Sequence, residues 1–231
     1  MKIVIFGSTG ATGREAVGRA LDKGHHVLAL DAHSHESDIE SDRLTHGVVD
    51  VLNDDLAPHL DGADAVLSCL GVGNDPQTLL DPPPLYTDGT RRIVEAMKDV
   101  GCRRLIVISA SFVETTDRGP IWFRVPAKVG LHKVFEQMAE MEAMLRATRA
   151  IDWTAVRPGW LMKGPMTGDY TVTPDVIPED MIRTRMADVA HFMLHCAETG
   201  DWSRATPAIA RHEDAEATSL STVVREIMGA A

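Results

Sequence analysis

Residues 7–13 read GSTGATG and lie between the apolar run KIVIF at 2–6 and the helix-like stretch ATGREAVGRAL at 11–21. Gly7 would permit a sharp turn out of the strand, Gly10 would let a pyrophosphate approach the backbone, and Gly13 would let the helix pack closely on the sheet. The phosphates would then rest on the free amides at the positive end of the helix. The stretch predicts a dinucleotide site formed by Gly7, Thr9, Gly10, Ala11, Thr12 and Gly13.

The composition restricts the class of protein. A chain of 231 residues is long enough for one large α/β domain over residues 1–231. The net charge of -11 and the pI near 5.3 argue against a nucleic-acid or anionic-membrane partner, because such a surface repels phosphates. No signal peptide and no membrane-spanning run are apparent, and the three cysteines lack metal-ligand spacing. We therefore expect a soluble cytoplasmic protein without a metal site.

Short apolar runs alternate with longer amphipathic stretches, which is typical of a parallel sheet covered by helices. We expect a single doubly wound, Rossmann-type α/β domain with a small substrate-side segment at 157–185. The predicted strands are Ile3–Phe6, Val27–Asp31, Gly47–Val51, Ala65–Cys69, Leu105–Ser109, Trp153–Val156 and Ala205–Ala210. The predicted helices are Thr12–Lys23, Leu85–Val100, Lys128–Ala147, Met186–Glu198 and Ser219–Met228.

Further motifs accompany the glycine turn: VVDVL at 48–52, SCLG at 68–71, LIVISAS at 105–111 and DWTAVRPGWL at 152–161. With these motifs, the chain resembles the extended and atypical branches of the short-chain dehydrogenase/reductase superfamily from Met1 to about Ala197. The resemblance implies an adenine contact after the third strand, a nicotinamide-ribose contact after the fourth, and active-site hydroxyls after the fifth. The residues it adds to the cofactor site are Asp50, Val51, Cys69, Leu70, Gly71, Ser109, Pro158 and Trp160.

Three segments resemble one subgroup of that superfamily more closely. They are GVGNDPQT at 71–78, GPMTGDYTVT at 164–173 and DVAHFMLHC at 188–196. Together they are similar to the biliverdin-IXβ reductase/flavin reductase family. That resemblance implies a small protein, a monomer or at most a homodimer, which passes a hydride from a nicotinamide cofactor to a planar small-molecule acceptor.

The residue that closes the second strand bears on the choice between NADH and NADPH. Asp31 lies 18 residues after Gly13 and is followed by Ala32. An acidic side chain at this separation accepts hydrogen bonds from an unphosphorylated ribose and repels a 2'-phosphate, so that both Asp31 and Ala32 are assigned to a site for NADH. Flavin reductases of the subgroup usually have an arginine here. NADPH stays open because four cationic or titratable side chains could reach a phosphate: Arg14, His33, His35 and Arg43.

The usual acid of the superfamily, a Tyr-x-x-x-Lys pair, is absent, because neither Tyr86 nor Tyr170 has a lysine four residues later. The remaining catalytic candidates are Ser109, Ser111, His132 and Lys133. Flavin, tetrapyrrole or quinone-like acceptors tolerate such a loss better than a carbonyl substrate does, because solvent can supply the proton. Trp122, Phe123 and Trp160 could form an aromatic wall for a planar acceptor, or simply pack. The alternative function is a non-catalytic NAD(P)H sensor.

Overall fold

The computed structural model describes residues 1–34, 39–73, 75–115, 131–214 and 222. In this part of the chain the strands are β1 Lys2–Phe6, β2 His26–Asp31, β3 Leu44–Val48, β4 Ala65–Ser68, β5 Arg104–Ile108, β6 Asp152–Pro158, β7 Trp160–Met162, β8 Thr171–Pro174, β9 Arg183–Arg185 and β10 Pro207–Ala210. The α-helices there are α1 Ala11–Asp22, α2 Ala57–Leu60, α3 Pro76–Leu80, α4 Thr90–Val100, α5 His132–Ala147 and α6 Met186–Thr199. A π-helical turn, Leu85–Gly89, leads into α4, and a 3-10 turn, Ser111–Val113, follows β5.

Eight of these strands form the central sheet in the order β3-β2-β1-β4-β5-β6-β10-β8. Every neighbouring pair is parallel except β10 and β8, which are antiparallel. The strand order reverses between β1 and β4, so the loops after their carboxyl ends diverge and leave a crevice. This arrangement confirms the predicted doubly wound, Rossmann-type α/β fold.

The sheet is covered on both faces because successive side chains of a strand point in opposite directions. In β1, Val4 and Phe6 join one buried cluster, whereas Ile3 and Ile5 join the other. The first cluster includes the apolar faces of α4 and α5, and the second includes those of α1 and α6. A strand that is buried on both faces reads as a continuous apolar run, which is why KIVIF could be assigned from sequence.

The sequence predicted the elements better than some of their ends. The third strand is Leu44–Val48 rather than Gly47–Val51, because its last residue pairs with the end of β2 and the chain then leaves the sheet. The helix expected from residue 85 starts as the π-helical turn. The 157–185 region, expected as a loop, contains β7, β8 and β9. Residues 128–130, and the helix expected at 219–228 apart from Thr222, lie outside the described residues.

Candidate functional site

The glycine turn sits at the carboxyl end of β1, where the strand order reverses. Gly7 has φ +70°, and a Cβ on it would lie 2.6 Å from the carbonyl oxygen of Cys69. A Cβ on Gly13 would lie 2.1 Å from the carbonyl oxygen of Gly7. These two glycines are therefore required by the close approach of β1, β4 and α1. A Cβ on Gly10 would meet only the Gly7 carbonyl oxygen, at 3.3 Å, so the outer side of this residue is open to a ligand.

The first turn of α1 offers hydrogen-bond donors. Gly10 is the N-cap, and it supplies no side chain to cap the helix; the first turn also holds no acidic residue. The amides of Ala11 and Thr12 donate to no group in the described part of the chain. The buried hydroxyl of Ser8 likewise has no partner there. Free amides at the positive end of a helix bind an anion such as pyrophosphate, so the turn fits the phosphates of a dinucleotide.

Asp31 lies directly beside the glycine turn at the end of β2. Its Oδ2 accepts hydrogen bonds from Thr9, from the amide at 3.1 Å and from the hydroxyl at 2.6 Å. Its Oδ1 accepts one from the amide of Ala32 at 2.9 Å. A carboxylate oxygen has two lone pairs, so Oδ1 can accept one more hydrogen bond, from a hydroxyl group for example. Asp31 thus both orders the turn and presents an acceptor next to it.

Four side chains were expected to be able to reach the 2'-phosphate of NADPH, and they lie in different places. Arg43 precedes β3, at the end of the sheet opposite the turn, and its guanidinium donates to the carbonyl of Leu21 at 3.3 Å. The five-residue strand β3 separates it from the cofactor edge by about 15 Å, so Arg43 cannot reach that edge. Arg14 is exposed on the first turns of α1 and His33 is exposed after β2, whereas His35 lies outside the described residues.

The residues expected at the adenine end lie after β3. The carboxylate of Asp50 accepts hydrogen bonds from the side chain of Asn53 at 2.8 Å and the amide of Leu52 at 2.9 Å. These two bonds lower the pKa of Asp50. The carboxylate of Asp50 therefore stabilises its own turn. Val51 is buried and packs against Gly89: a Cβ added to Gly89 would lie 3.3 Å from the Val51 side chain. Both residues are near the carboxyl edge of the sheet, as the cofactor prediction requires.

The end of β4 forms the other wall of the crevice. The backbone of Cys69 contacts Gly7, and its amide donates to the carbonyl of Phe6 at 2.9 Å. Burial raises the pKa of the Cys69 thiol to about 12, so the thiol stays protonated and unreactive. Leu70 is half-buried and Gly71 is exposed, which leaves the backbone of this wall accessible to a ligand.

Ser109, at the end of β5, is linked to a buried carboxylate. Its hydroxyl donates to Oε1 of Glu142 on α5 at 2.7 Å, and the side chain of Glu142 is fully buried. Arg157 of β6 donates from Nε to the same oxygen at 2.8 Å, and Arg146 donates to Oε2 at 3.0 Å. The hydroxyl of Ser109 therefore donates its single hydrogen bond within the protein. The other serine, Ser111, is fully buried and accepts from the amide of Ile177 at 3.3 Å.

Glu142 is a residue that the sequence reasoning missed. It lies one turn after Met138 and beside Met141, within the apolar stripe of α5. A carboxylate on a core-facing helix position signals a buried partner, because an unpaired buried charge is costly. That partner, Arg157, is itself fully buried and also donates to Glu114 at 3.1 Å and to the carbonyl of Asp175 at 2.8 Å.

The other two catalytic candidates lie on the surface. His132 and Lys133 occupy the first turn of α5, with side chains that are 69% and 56% exposed. His132 is 3.2 Å from Glu136, and Lys133 is 3.5 Å from Asp81. In the described part of the chain, neither is hydrogen-bonded to Ser109. The four predicted catalytic residues thus do not form one hydrogen-bonded group.

An aromatic group lies beside the ends of β5 and β6. The ring of Trp160 is 6.5 Å from that of Phe112 in an edge-on arrangement, and Phe112 is 5.9 Å from Phe135. Trp160 is half-buried, whereas the neighbouring Pro158 is buried within β6. Phe112 was not singled out from the sequence. Trp122 and Phe123, the other residues of the expected aromatic wall, lie outside the described residues.

The segments 164–173 and 188–196 are joined by side-chain hydrogen bonds. Asp188, buried at the start of α6, accepts hydrogen bonds from the amide and hydroxyl of Thr167, both at 2.8 Å, and from the amide of Gly168 at 3.1 Å. Tyr170 and His191 form a second link, with the phenol oxygen 2.7 Å from Nδ1. These contacts join the 164–173 and 188–196 segments to each other.

His191 gives this link a pH dependence. Burial, followed by the charges of Lys23 and Arg19, lowers its pKa below the ordinary value of 6.5. The unfolded chain therefore binds this proton more readily than the folded protein, and stability decreases as the pH falls below about 6.5. We expect His191→Gln to reduce that decrease in the free energy of unfolding, measured by urea denaturation between about pH 8 and pH 5. The exposed His132→Gln variant is the control, and an equal effect of both variants would contradict the prediction.

The strand order, the glycine turn at its reversal and the uncapped start of α1 define a dinucleotide-binding protein of the Rossmann type. The sequence comparison then gives the family. Residues 7–199 match a family model described as NAD(P)H-binding, and the chain belongs to that family. No helix in the described residues is long and apolar enough to cross a membrane.

The individual proteins described next are less than 30% identical to this chain. A 3-diazoavenalumate denitrifying reductase of a Streptomyces species is 29% identical over an alignment of 138 residues, which covers 52% of this chain and 41% of that protein. The matched part is therefore less than half of that reductase. A solved structure named as an NADH-flavin reductase of Streptococcus pneumoniae has a TM-score of 0.72 at 21% identity, over 92% of this chain and 100% of that one. A short-chain dehydrogenase/reductase of Veillonella parvula, solved with NADP, has a TM-score of 0.75 at 16% identity, over 91% and 94%.

Proposed function

We propose that the protein is an NAD(P)H-dependent reductase that transfers a hydride to a planar acceptor of the flavin, tetrapyrrole or quinone-like class. The observation that carries the proposal is the open first turn of α1, with its free amides, beside a crevice whose far end borders aromatic rings. The reductase and flavin-reductase names of two similar proteins support the same reaction class. The reduced nicotinamide supplies the hydride when the cofactor is bound.

The proposed roles follow the position of each residue along the crevice. Gly10, Ala11 and Thr12 would hold the pyrophosphate, and Asp31 would accept a hydrogen bond from the adenosine ribose. Asp50 and Val51 would border the adenine. The backbone of Cys69, Leu70 and Gly71 would line the nicotinamide ribose. Trp160, packed edge-on against the buried Phe112, would stack the acceptor.

The residues described here favour an acceptor that needs no protein acid. Burial raises the pKa of Tyr86 to about 12, and burial followed by the charge of Asp188 raises that of Tyr170 to about 12. The hydroxyl of Ser109 donates its hydrogen bond to Glu142 and is not free to donate to a substrate. A flavin or tetrapyrrole can take its proton from water after hydride transfer, whereas an unactivated carbonyl requires a positioned donor.

The test is the oxidation of NADH and NADPH by the purified protein with FMN, FAD, a quinone and biliverdin as acceptors. The proposal expects nucleotide oxidation above the protein-free background with at least one of them. Binding of the nucleotide without turnover across the whole panel would instead support a non-catalytic sensor. The sensor function is favoured by the hydrogen bond from the Ser109 hydroxyl to Glu142, which leaves this hydroxyl unavailable to a substrate. The acceptor panel distinguishes a reductase from a sensor.

We propose NADH as the preferred cofactor because of Asp31. Replacing Asp31 by Asn keeps its shape and removes the charge that a 2'-phosphate would meet. We expect the Kd of NADH to rise by about tenfold, as for the loss of one charge-assisted hydrogen bond, and the Kd of NADPH to fall. Tryptophan fluorescence titration measures both constants. The control, Asp42→Asn, changes an exposed carboxylate before β3, and a preference of the native protein for NADPH would refute the role of Asp31.

A further inference from the structure

A second cleft, of about 620 Å³, lies away from the crevice at the glycine turn. It runs beside α5 along β6, β10 and β8. Trp153 is the second residue of β6 and Ala205 precedes β10, so this part of the cleft lies at the amino ends of parallel strands. The cofactor candidates lie at the carboxyl ends. Glu114, in the turn after β5, lines the other end of the cleft, and no residue of the glycine turn lines it, so the cleft is separate from that turn.

The cleft contains more hydrogen-bond donors than the protein uses. The side chain of Trp153 is 97% buried, and its indole Nε1 has no partner among the described residues. Arg146 uses one nitrogen for Glu142, and Arg204 donates from one nitrogen to the carbonyl of Arg149. The other guanidinium nitrogens of both arginines have no partner in the described part of the chain. The Nε1 atom of Trp153 is itself closed to solvent, whereas the side chains of Arg146 and Arg204 are 47% and 44% exposed. The guanidinium nitrogens are therefore the donors that a ligand in the cleft could reach.

The acidic residues of the cleft are already engaged. An oxygen of Glu114 accepts from the guanidinium of Arg157 at 3.1 Å, and an oxygen of Asp175 accepts from the hydroxyl of Thr206. Asp152, just outside the lining, forms an ion pair with Nη2 of Arg204 at 3.8 Å, which leaves Nε and Nη1 of Arg204 available as donors. One oxygen of each carboxylate is thus engaged, while two nitrogens of each guanidinium group, of Arg146 and of Arg204, remain available as cationic donors.

The backbone around the cleft is held in an unusual conformation. In the described residues, three residues other than glycine have φ in the left-handed region: Asp175 at 62°, Trp202 at 57° and Arg204 at 56°. All three line this cleft. Aspartate tolerates the conformation, but tryptophan and arginine rarely adopt it. Such residues cluster at ligand sites, where the surrounding structure maintains their strain.

We propose that this cleft binds a small organic carboxylate that has an apolar body. The carboxylate would accept hydrogen bonds from the guanidinium groups of Arg204 and Arg146, beside the ring of Trp153. The apolar body would lie against Pro174, Val176 and Ala205. The site takes no part in hydride transfer, so the proposal is independent of the function proposed above.

The test titrates sodium benzoate into the full-length, isotope-labelled protein and follows the indole N–H signals by NMR. The chain has four tryptophans, so four indole signals are expected. Trp153→Phe assigns the signal of interest, and if that variant does not fold, replacing the other three in turn assigns it by elimination. We expect a saturable shift of the Trp153 indole signal, with and without saturating NADH. Benzyl alcohol, which lacks the carboxylate, should give no saturable shift.

Arg204→Asn supplies the specific variant, because asparagine tolerates the left-handed conformation and lacks the guanidinium. We expect the Kd of benzoate to rise by about tenfold or more in this variant, as for the loss of a charge-assisted hydrogen bond. The matched control is Arg91→Asn, which changes an arginine of similar exposure on α4, outside the cleft. A Trp153 signal that does not respond up to the solubility limit of benzoate would overturn the proposal. So would equal affinities of the Arg204→Asn and native proteins.

Discussion

Replacing Gly13 with alanine is expected to abolish measurable NADH and NADPH binding and to lower the free energy of unfolding by about 1–3 kcal/mol, as for overpacking of a filled site. The added Cβ would lie 2.1 Å from the carbonyl oxygen of Gly7, so either the turn or the helix must move. Any such movement displaces the free amides of α1 from the crevice. Fluorescence titration with both nucleotides and urea denaturation measure the two effects.

Gly18→Ala is the matched control for this prediction, because Gly18 lies on the same helix and an added Cβ there meets nothing within 4 Å. Alanine in a helix interior is favoured over glycine by about 1 kcal/mol. We therefore expect unchanged nucleotide binding and equal or higher stability for Gly18→Ala. If Gly13→Ala bound nucleotide as tightly as Gly18→Ala does, the glycine turn would not be the cofactor site.

Replacing Glu142 with methionine is expected to destabilise the protein by about 3–5 kcal/mol, as for breaking one side of a buried ion pair. The variant leaves the fully buried guanidinium of Arg157 without its main partner, since Glu142 contacts two of its nitrogens. It also leaves the hydroxyl of Ser109 without an acceptor. The pair joins α5 to β6, so we expect the loss to appear in global unfolding, measured by urea denaturation.

Two further variants test whether the charge imbalance is the cause. Glu140→Met changes an exposed carboxylate on the same helix, and we expect an effect within about 0.5 kcal/mol. Combining Glu142→Met with Arg157→Met removes both charges, and the double variant should be more stable than Glu142→Met alone. If the double variant lost the sum of the two single effects, pairing would not explain the burial of Glu142.

Much of the fold was predictable because its signals are local. The glycine turn requires only the few residues on either side of it, and the conformational demands on Gly7 and Gly13 are properties of the turn itself. The apolar runs that became β1, β4 and β5 are continuous because both faces of these strands are buried. The end of β3 could not be predicted from local signals, because it depends on where its neighbour β2 ends.

The candidate cofactor side of the site follows from the same local signals, and those residues do lie along one edge of the sheet. The expected catalytic residues do not form one group, because chain position says little about which way a side chain faces. His132 and Lys133 begin α5 on its exposed side. Ser109 faces inward, towards a carboxylate 33 residues later in the chain.

The sequence by itself determined the class of fold and the position of the dinucleotide turn, because strand, turn and helix are consecutive there. Only the tertiary structure decided that Glu142 and Arg157 pair in the core, that Asp188 holds Thr167, and that Trp153 and Arg204 share a second cleft. Each of these depends on residues brought together across the sheet. Their pairing is determined by burial, which makes an unmatched charge or donor costly, and burial is known only once the chain is folded.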